Sequence, residues 1–232
     1  MNKGLMLAAF AVLLLGSAFA IPQNSSASAG TTGNYTRQIA AAGSVYIEGG
    51  NVTETNVSRA GSTEKWGAFY GNVTAGLALA QSDTAAPVYT WAWDLTNGGE
   101  VCASTGSAFV WAAVLPTTAS FIDALWSFVP GDVDSANNTF NDATANYAFA
   151  GDGSGTTTGV FTYDDVGADT WETFAVNESA SPASKDDVAF CVNISATNDR
   201  WDAVTGGYQL MVATNETANT FERYYFYVEL NA

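Results

Sequence analysis

The chain has 232 residues, of which 47% are hydrophobic and 13% aromatic, so a sizeable core is possible and the composition argues against wholesale disorder. The 23 acidic and 7 basic residues give a formal net charge of -16, which disfavours nucleic acid and anionic lipid as partners. Because only 13% of the residues are charged, we interpret the acidity as that of a low-pI secreted protein in preference to salt adaptation.

Residues 1–20, MNKGLMLAAFAVLLLGSAFA, are typical of a signal peptide. Lys3 supplies the positive end, Leu5–Leu15 the apolar run, and Ala18-Phe19-Ala20 a small-x-small cleavage site. The alternative is a leader resembling that of archaeal type IV pilins, suggested by Lys3-Gly4, in which the apolar segment is kept as an assembly helix. The apolar run is short for a membrane span, so we expect a secreted, extracellular or cell-surface protein without a span in its mature form.

Residues 21–42, IPQNSSASAGTTGNYTRQIAAA, are small, polar and aperiodic, and they predict a flexible arm. Residues 43–232 predict a single domain, an all-β antiparallel sandwich of about ten strands with one short helix. The predicted strands are SVYIE, NVTETNVS, KWGAFYGNVT, GLALA, PVYTWAW, EVCAS, GVFTYDD, TWETFAVN, DDVAFCVNIS, GGYQLMVAT and FERYYFYVEL. TASFIDALWSF has helical spacing, whereas residues 129–146 and 151–159 read as loops.

Alternation within two strands predicts which side chains face the core. In DVAFCVNIS, the residues Val188, Phe190, Val192 and Ile194 should point inward, with Cys191 on the opposite, less apolar face. In the last strand, the predicted inward set is Tyr224, Phe226, Val228 and Leu230, and the outward set is Arg223, Tyr225, Tyr227 and Glu229.

Two cysteines, Cys102 and Cys191, most simply form one disulfide in an exported chain. Their wide separation suggests a clasp across or between sheets. The side of the strand on which Cys191 lies leaves open a bridge on an outer face.

Nine Asn-x-Ser/Thr triplets predict a glycoprotein, since a glycan requires an exposed asparagine and an exported chain. The candidate sites are Asn24, Asn34, Asn51, Asn56, Asn72, Asn137, Asn177, Asn193 and Asn215. The first five lie in the arm or near turns.

One oxygen-rich loop, GDVDSANNTFND, offers weak calcium candidates, although its spacing does not match an EF-hand. The alternative is that these are solvated loop carboxylates, and no other cofactor is expected. The candidate ligands are Asp132, Asp134, Asn138 and Asp142.

The chain has no histidine, which excludes Ser-His-Asp and Cys-His catalysis and the usual imidazole metal sites. Carboxylate chemistry survives, and Glu48, Glu100 and Glu172 could line a groove, but no spacing singles out a pair. We therefore expect no enzyme, with a carboxylate-dependent secreted hydrolase as the less favoured possibility.

Aromatic side chains suggest glycan binding as an alternative function, because exposed rings on a sandwich can stack against sugars. Tyr225 and Tyr227 are the main candidates, since the opposite face of their strand is already apolar. For Trp91 and Trp93 we favour core packing.

The pattern Gly-Gly-Asn-Val-Thr, then Trp66, then Tyr-Gly-Asn-Val-Thr and the Trp-x-Trp of Trp91 and Trp93 resembles a group of uncharacterised archaeal exported proteins. The resemblance covers about a third of the chain. It implies an extracellular surface protein and supplies no catalytic residues. Our leading hypothesis is a structural or adhesive protein that self-associates or binds other envelope proteins, as in a surface layer or a strand-exchange filament.

Overall fold

A computed structural model describes residues 22–30, 44–57, 62–82, 85–149, 153–215 and 221–231. The predicted signal peptide and most of the predicted arm lie outside the described residues. Among the residues described, no helix is long and apolar enough to cross a membrane.

The described residues form thirteen strands and two α-helices, and the prediction of an all-β antiparallel fold is confirmed. The first half contains β1 (Gln23–Asn24), β2 (Trp66–Gly71), β3 (Gly76–Leu79), β4 (Tyr89–Ala92), β5 (Gly99–Ser104), β6 (Leu115–Pro116), α1 (Ala119–Trp126) and α2 (Ala136–Thr139). The second half contains β7 (Asp142–Phe149), β8 (Gly153–Tyr163), β9 (Asp169–Asn177), β10 (Val188–Asn193), β11 (Ser195–Asp199), β12 (Thr205–Ala213) and β13 (Tyr225–Leu230).

Three antiparallel sheets are present in this part of the chain. The largest has the order β1-β13-β5-β10-β9-β8-β7, with β6 paired to β9. A smaller sheet has the order β11-β12-β2, and β3 pairs with β4 as a separate hairpin. The strands β5 and β10 therefore lie at the centre of the large sheet, although 89 residues separate the cysteines that they carry.

The first core lies between the large sheet and the layer formed by β12, β2 and α1. Val188, Phe190 and Val192 of β10 face it, as their alternation predicts, and meet Leu210 and Val212 of β12. The helix α1 contributes Ile122 and Trp126, and it begins where the Thr118 side chain accepts a hydrogen bond from the backbone N–H of Phe121.

A second core covers the opposite face of the same strands. Here Cys102, Cys191 and Tyr227 pack with Trp111 from the β5–β6 connection and with Phe149 of β7. The edge strand β7 thus curls over the centre of the sheet. The expectation that Cys191 and Tyr227 lie on a polar outer face is wrong, because the second core covers that side of both residues.

The disulfide between Cys102 and Cys191 is present, and its two residues face each other across β5 and β10 with a Cα–Cα distance of 4.0 Å. It therefore joins neighbouring strands of one sheet, so of the two expected arrangements the clasp lies across a sheet and not between sheets. Both residues are fully buried in the second core.

Two sets of predicted elements are wrong. Residues 44–57, which include SVYIE, contain no strand, because no neighbouring strand in the described chain pairs with them. Conversely, the segments read as loops contain most of β7 and the start of β8, whose small Thr, Ala and Gly residues let the two strands pair closely.

Candidate functional site

A short strand from the N-terminal arm, β1, pairs with the edge of β13 that does not face β5. Gln23 pairs with Val228 and Asn24 with Tyr227, and the Ser25 N–H donates to the Phe226 carbonyl at 3.0 Å. The contact is two residue pairs long, so few hydrogen bonds hold the arm on the sheet. We call this contact the arm–edge site.

The two predicted glycan-stacking residues have different environments. Tyr225 is 37% exposed, whereas Tyr227 is 2% exposed. The Tyr227 hydroxyl donates to the Gly106 carbonyl at 2.6 Å and accepts from the Phe109 N–H at 3.2 Å. Tyr227 therefore fixes the loop after β5 within the second core, and its prediction as a stacking residue is wrong.

Two glutamates meet at one end of the second core. Glu100 of β5 and Glu229 of β13 are direct register partners, so their side chains share a face of the sheet. They are 7% and 1% exposed, and Oε2 of Glu100 has no hydrogen-bond partner among the described residues. Gly99 permits this approach of strands: a Cβ there would lie 2.1 Å from the Glu229 carbonyl oxygen.

A cavity of about 380 Å³ opens beside Glu100. Asn146 and Tyr147 of β7, Asn193 at the end of β10, and Asn231 supply its other polar walls. Glu229 is not among the described residues that line it, so a single carboxyl faces the cavity. A glycosidase needs two carboxyl groups on opposite sides of the scissile bond, and this geometry does not provide them.

Burial, together with the charge of Glu229, raises the pKa of Glu100 to about 8. Glu100 is therefore largely protonated at neutral pH. Its neutral carboxyl and the neighbouring amides suit an uncharged polar ligand better than a metal ion, because a metal would first have to displace the proton. No cluster of three or more His, Cys, Asp or Glu side chains that could hold a metal is found in the described chain.

The other glutamates considered from sequence do not join this pair. Glu48 lies in an exposed, irregular part of the chain. Glu172 of β9 is partly buried and hydrogen-bonds with Asp142, and these effects raise its pKa to about 7. The importance of Glu229 was missed from sequence, since the alternation of β13 placed it on an outward face.

In the loop that supplies the calcium candidates, two aspartates form ion pairs with a lysine. Nζ of Lys65 lies 2.6 Å from Asp132 and 2.9 Å from Asp134, and the lysine side chain is 4% exposed. Burial acts to raise the pKa of Asp134, but the hydrogen bonds from Lys65 and Thr63 outweigh it and lower that pKa. The negative charges of the two aspartates are thus compensated by an ammonium group of the chain itself.

The remaining calcium candidates do not complete a coordination sphere with these aspartates. Asn138 donates from Nδ2 to the Asp132 carbonyl at 2.6 Å. Asp142 accepts from Thr144 and hydrogen-bonds with Glu172. These four weak candidates therefore do not share one calcium site in the described chain, because Lys65 and local turn hydrogen bonds use these groups.

The predicted glycosylation sites differ in access. Asn177 is 1% exposed, and its amide lies against the Pro116 carbonyl, so its prediction is wrong for the folded chain. Asn34 lies outside the described residues. Asn215 is partly exposed, and the exposed candidates are Asn24, Asn51, Asn56, Asn72, Asn137 and Asn193.

Two pairs of aromatic side chains are exposed. Trp201 is 57% exposed and its ring centroid lies 5.5 Å from that of Tyr70. On the β3–β4 hairpin, the ring centroids of Tyr89 and Trp91 lie 5.0 Å apart. Trp91 is 49% exposed, which contradicts the core packing favoured from sequence, whereas Trp93 is buried in the first core as expected.

Comparison with protein-family models, with curated proteins and with solved structures finds no match for this chain. The resemblance to archaeal exported proteins therefore stays a prediction from the sequence.

We expect Tyr227→Phe to lower the free energy of unfolding by about 1–3 kcal/mol, because a buried carbonyl and a buried N–H each lose their partner. The matched change Tyr225→Phe, on the same strand, should alter it by less than about 0.5 kcal/mol. Urea unfolding of both variants measures the difference. Equal effects would contradict the buried role of Tyr227.

We expect stability to fall as pH rises from 4.5 to about 8. The folded-state pKa of Glu100 is raised, so its contribution is fully present below the unfolded pKa and is lost as pH passes the folded pKa. The loss is on the order of a few kcal/mol.

Glu100→Gln should remove most of this pH dependence, as measured by urea unfolding across that range. Glu172→Gln is the control, and it should remove less because Glu172 is only partly buried. A wild-type profile that stays flat or rises over the window would refute the proposed burial of a neutral Glu100.

Proposed function

We propose that this chain is an exported structural protein of the cell surface whose subunits assemble by exchanging the N-terminal arm. The observation that carries the proposal is the arm–edge site, where Gln23 and Asn24 extend the large sheet at β13. An edge strand presents unpaired backbone N–H and C=O groups. The arm of a second chain can hydrogen-bond to these groups as readily as the arm of the same chain.

The connection between the arm and the domain permits exchange. Between Asn24 and Trp66 the described residues contain no helix or strand. About 40 residues can span roughly 130 Å when extended, several times the radius of gyration of about 16 Å expected for a domain of this length. The same hydrogen bonds can therefore form on a neighbouring subunit at little cost, as in domain swapping.

Residues 44–57 supply further support. Tyr46 is 98% exposed, Val52 100% and Val57 90%. The β-branched and aromatic residues of this segment nevertheless favour strand structure. Exposed apolar segments of this kind are typical of surfaces that become buried in an assembly. The surface of a second copy is the occupant that we propose for them.

The remaining features fit an extracellular assembly. The Cys102–Cys191 disulfide suits an oxidising compartment, and four asparagines of predicted glycosylation sites outside residues 44–57 are exposed in the described chain, namely Asn24, Asn72, Asn137 and Asn193. The predicted signal peptide and the resemblance to archaeal surface proteins point the same way.

Glycan binding is the second candidate function, and the exposed pair Tyr70–Trp201 favours it. Arg200 lies 5.7 Å from the Tyr70 ring centroid and hydrogen-bonds Asp202 and Asn72, which holds this corner in place. A fixed, exposed indole surrounded by amides and carboxylates can stack on a sugar ring and bond its hydroxyls.

Strand exchange predicts intermolecular cross-links in the double variant Gln23→Cys/Val228→Cys, since these positions are register partners. Oxidation of the assembled protein should give a ladder of covalent oligomers on non-reducing gels, and reduction should collapse it to monomer. Each single variant is a control and should give no ladder. Complete closure within single chains, without oligomers, would refute exchange.

A deletion of residues 21–42 tests the same proposal without new cysteines. The deletion removes β1. Electron microscopy should find polymers of the full-length protein but none of the shortened chain, while the circular-dichroism spectrum of the domain is retained. Unchanged assembly of the shortened chain would count against the arm as the assembling element.

The glycan hypothesis predicts that Trp201→Ala weakens retention on a polysaccharide matrix by about tenfold, the equivalent of about 1.4 kcal/mol for one aromatic contact. Trp91→Ala removes an exposed indole from the separate hairpin and is the matched control. If wild-type protein is retained by no polysaccharide of a broad panel, the hypothesis is wrong.

A further inference from the structure

A lysine, an asparagine and a glutamate converge where the two layers of the domain meet. Nζ of Lys185 lies 2.7 Å from Oδ1 of Asn215 and 3.1 Å from Oε2 of Glu222. Lys185 precedes β10, Asn215 follows β12, and Glu222 precedes β13. The three side chains therefore bring together the ends of strands from the large sheet and from the small sheet.

The surroundings of the lysine restrict its position and its access to water. The Lys185 side chain is 24% exposed and that of Glu222 is 13% exposed. The ring of Trp126, which is 2% exposed, lies 5.4 Å from Nζ. Next to Glu222, the hydroxyl of Tyr224 donates to the Ala213 carbonyl and ties the start of β13 to the end of β12.

We propose that Lys185 and Asn215 are a modification site at which the chain forms an intramolecular isopeptide bond, with Glu222 carrying the proton. The proposal depends on this contact alone and is independent of the arm–edge site. It requires no cofactor or co-reactant, because the amine, the carboxamide and the acid are all supplied by the chain.

The chemistry balances within these three side chains. The Glu222 carboxylate takes a proton from the Lys185 ammonium, and the lone pair of the neutral Nζ attacks Cγ of Asn215. The new Nζ–Cγ bond forms, Nζ gives up a second proton, and the Cγ–Nδ2 bond breaks. Glu222 passes both protons from Nζ to the leaving nitrogen, which departs as ammonium. A lysine ammonium and a carboxamide thus become a secondary amide and an ammonium ion, with no oxidation or reduction.

The short distance between the Lys185 amine and the Asn215 amide favours the reaction. Amines and carboxamides do not react measurably when free in water, but a nucleophile held in contact with its target gains a large effective concentration. Lys185 is already within hydrogen-bond distance of the amide oxygen, so its nitrogen is close to the carbon that it must attack.

Two other cationic groups show what distinguishes this contact. Lys65 forms ion pairs with the carboxylates of Asp132 and Asp134. Carboxylates are poor electrophiles, so an amine does not attack them. Arg200 contacts the amide oxygen of Asn72 at 2.8 Å, but a guanidinium stays protonated and does not act as a nucleophile. Lys185 combines an amine with a carboxamide and an acid.

The bond would have consequences for structure and for modification. It would close the chain between positions 30 residues apart and join the layers covalently at an end of the sandwich. It also excludes a glycan at Asn215, since a glycan needs the same Nδ2 that the isopeptide reaction expels.

The test is the intact mass of the full mature chain, secreted by a host that does not glycosylate proteins and then reduced. We expect the mass to be lower than that of the reduced sequence by one ammonia. Proteolysis should yield a branched peptide that joins Lys185 to Asn215. Lys185→Arg and Glu222→Gln should each lose the branched peptide and regain the full mass, whereas the control Asn72→Ala should keep the ammonia loss.

A wild-type chain of unmodified mass would overturn the proposal, as would a deamidated Asn215 or a branch that maps to another pair. Retention of the bond in Glu222→Gln would overturn the role of Glu222. If either variant fails to fold, peptide mapping of the wild-type chain decides the proposal by itself.

Discussion

The burial of β5 and β10 on both faces is the constraint on which the rest of the structure depends. One face of this central pair packs against β12 and α1, and the other packs beneath β7 and the β5–β6 connection. The buried side chains of β5 and β10 are therefore apolar, disulfide-bonded or neutral. The disulfide, the hydroxyl of Tyr227 and the raised pKa of Glu100 are three outcomes of this one requirement.

A scarcity of cations shapes the polar interactions. The chain has 7 basic residues against 23 acidic ones. Lys65 and Arg200 are buried and Lys185 is partly buried, and each lies at a junction between segments. Lys65 ties the start of β2 to the loop before α2, and Arg200 holds the β11–β12 turn against the end of β2. Lys185 links the ends of β10, β12 and β13. In an acidic protein, such cations hold together segments that the sheets alone leave apart.

The proposed assembly and the proposed isopeptide bond address different weaknesses of the same architecture. The sandwich has an edge at β13 that a two-residue strand covers only in part, and exchange of the arm would turn that edge into an interface. A covalent bond between the layers would instead resist separation of the sheets under load. Both devices would suit the proposed role as an extracellular structural protein.

The sequence by itself determined the fold class, most strands of the second half, the helix α1 and the cysteine pair. Alternation over Val188–Asn193 and helical spacing over Ala119–Trp126 are local patterns, and local patterns report period and one buried face. Alternation did not reveal that the opposite face of β10 and β13 is also buried, since that depends on β7 and a loop distant in sequence.

Pairing was decided by the tertiary structure alone. Residues 153–158, read as a loop from sequence, became the start of β8 because β7 supplies hydrogen bonds to them, whereas residues 44–57 have strand-like side chains but no described partner. The Glu100–Glu229 pair and the Lys185–Asn215–Glu222 contact likewise join distant positions. Composition and periodicity carry no information about which strands become neighbours, and these sites exist only where strands meet.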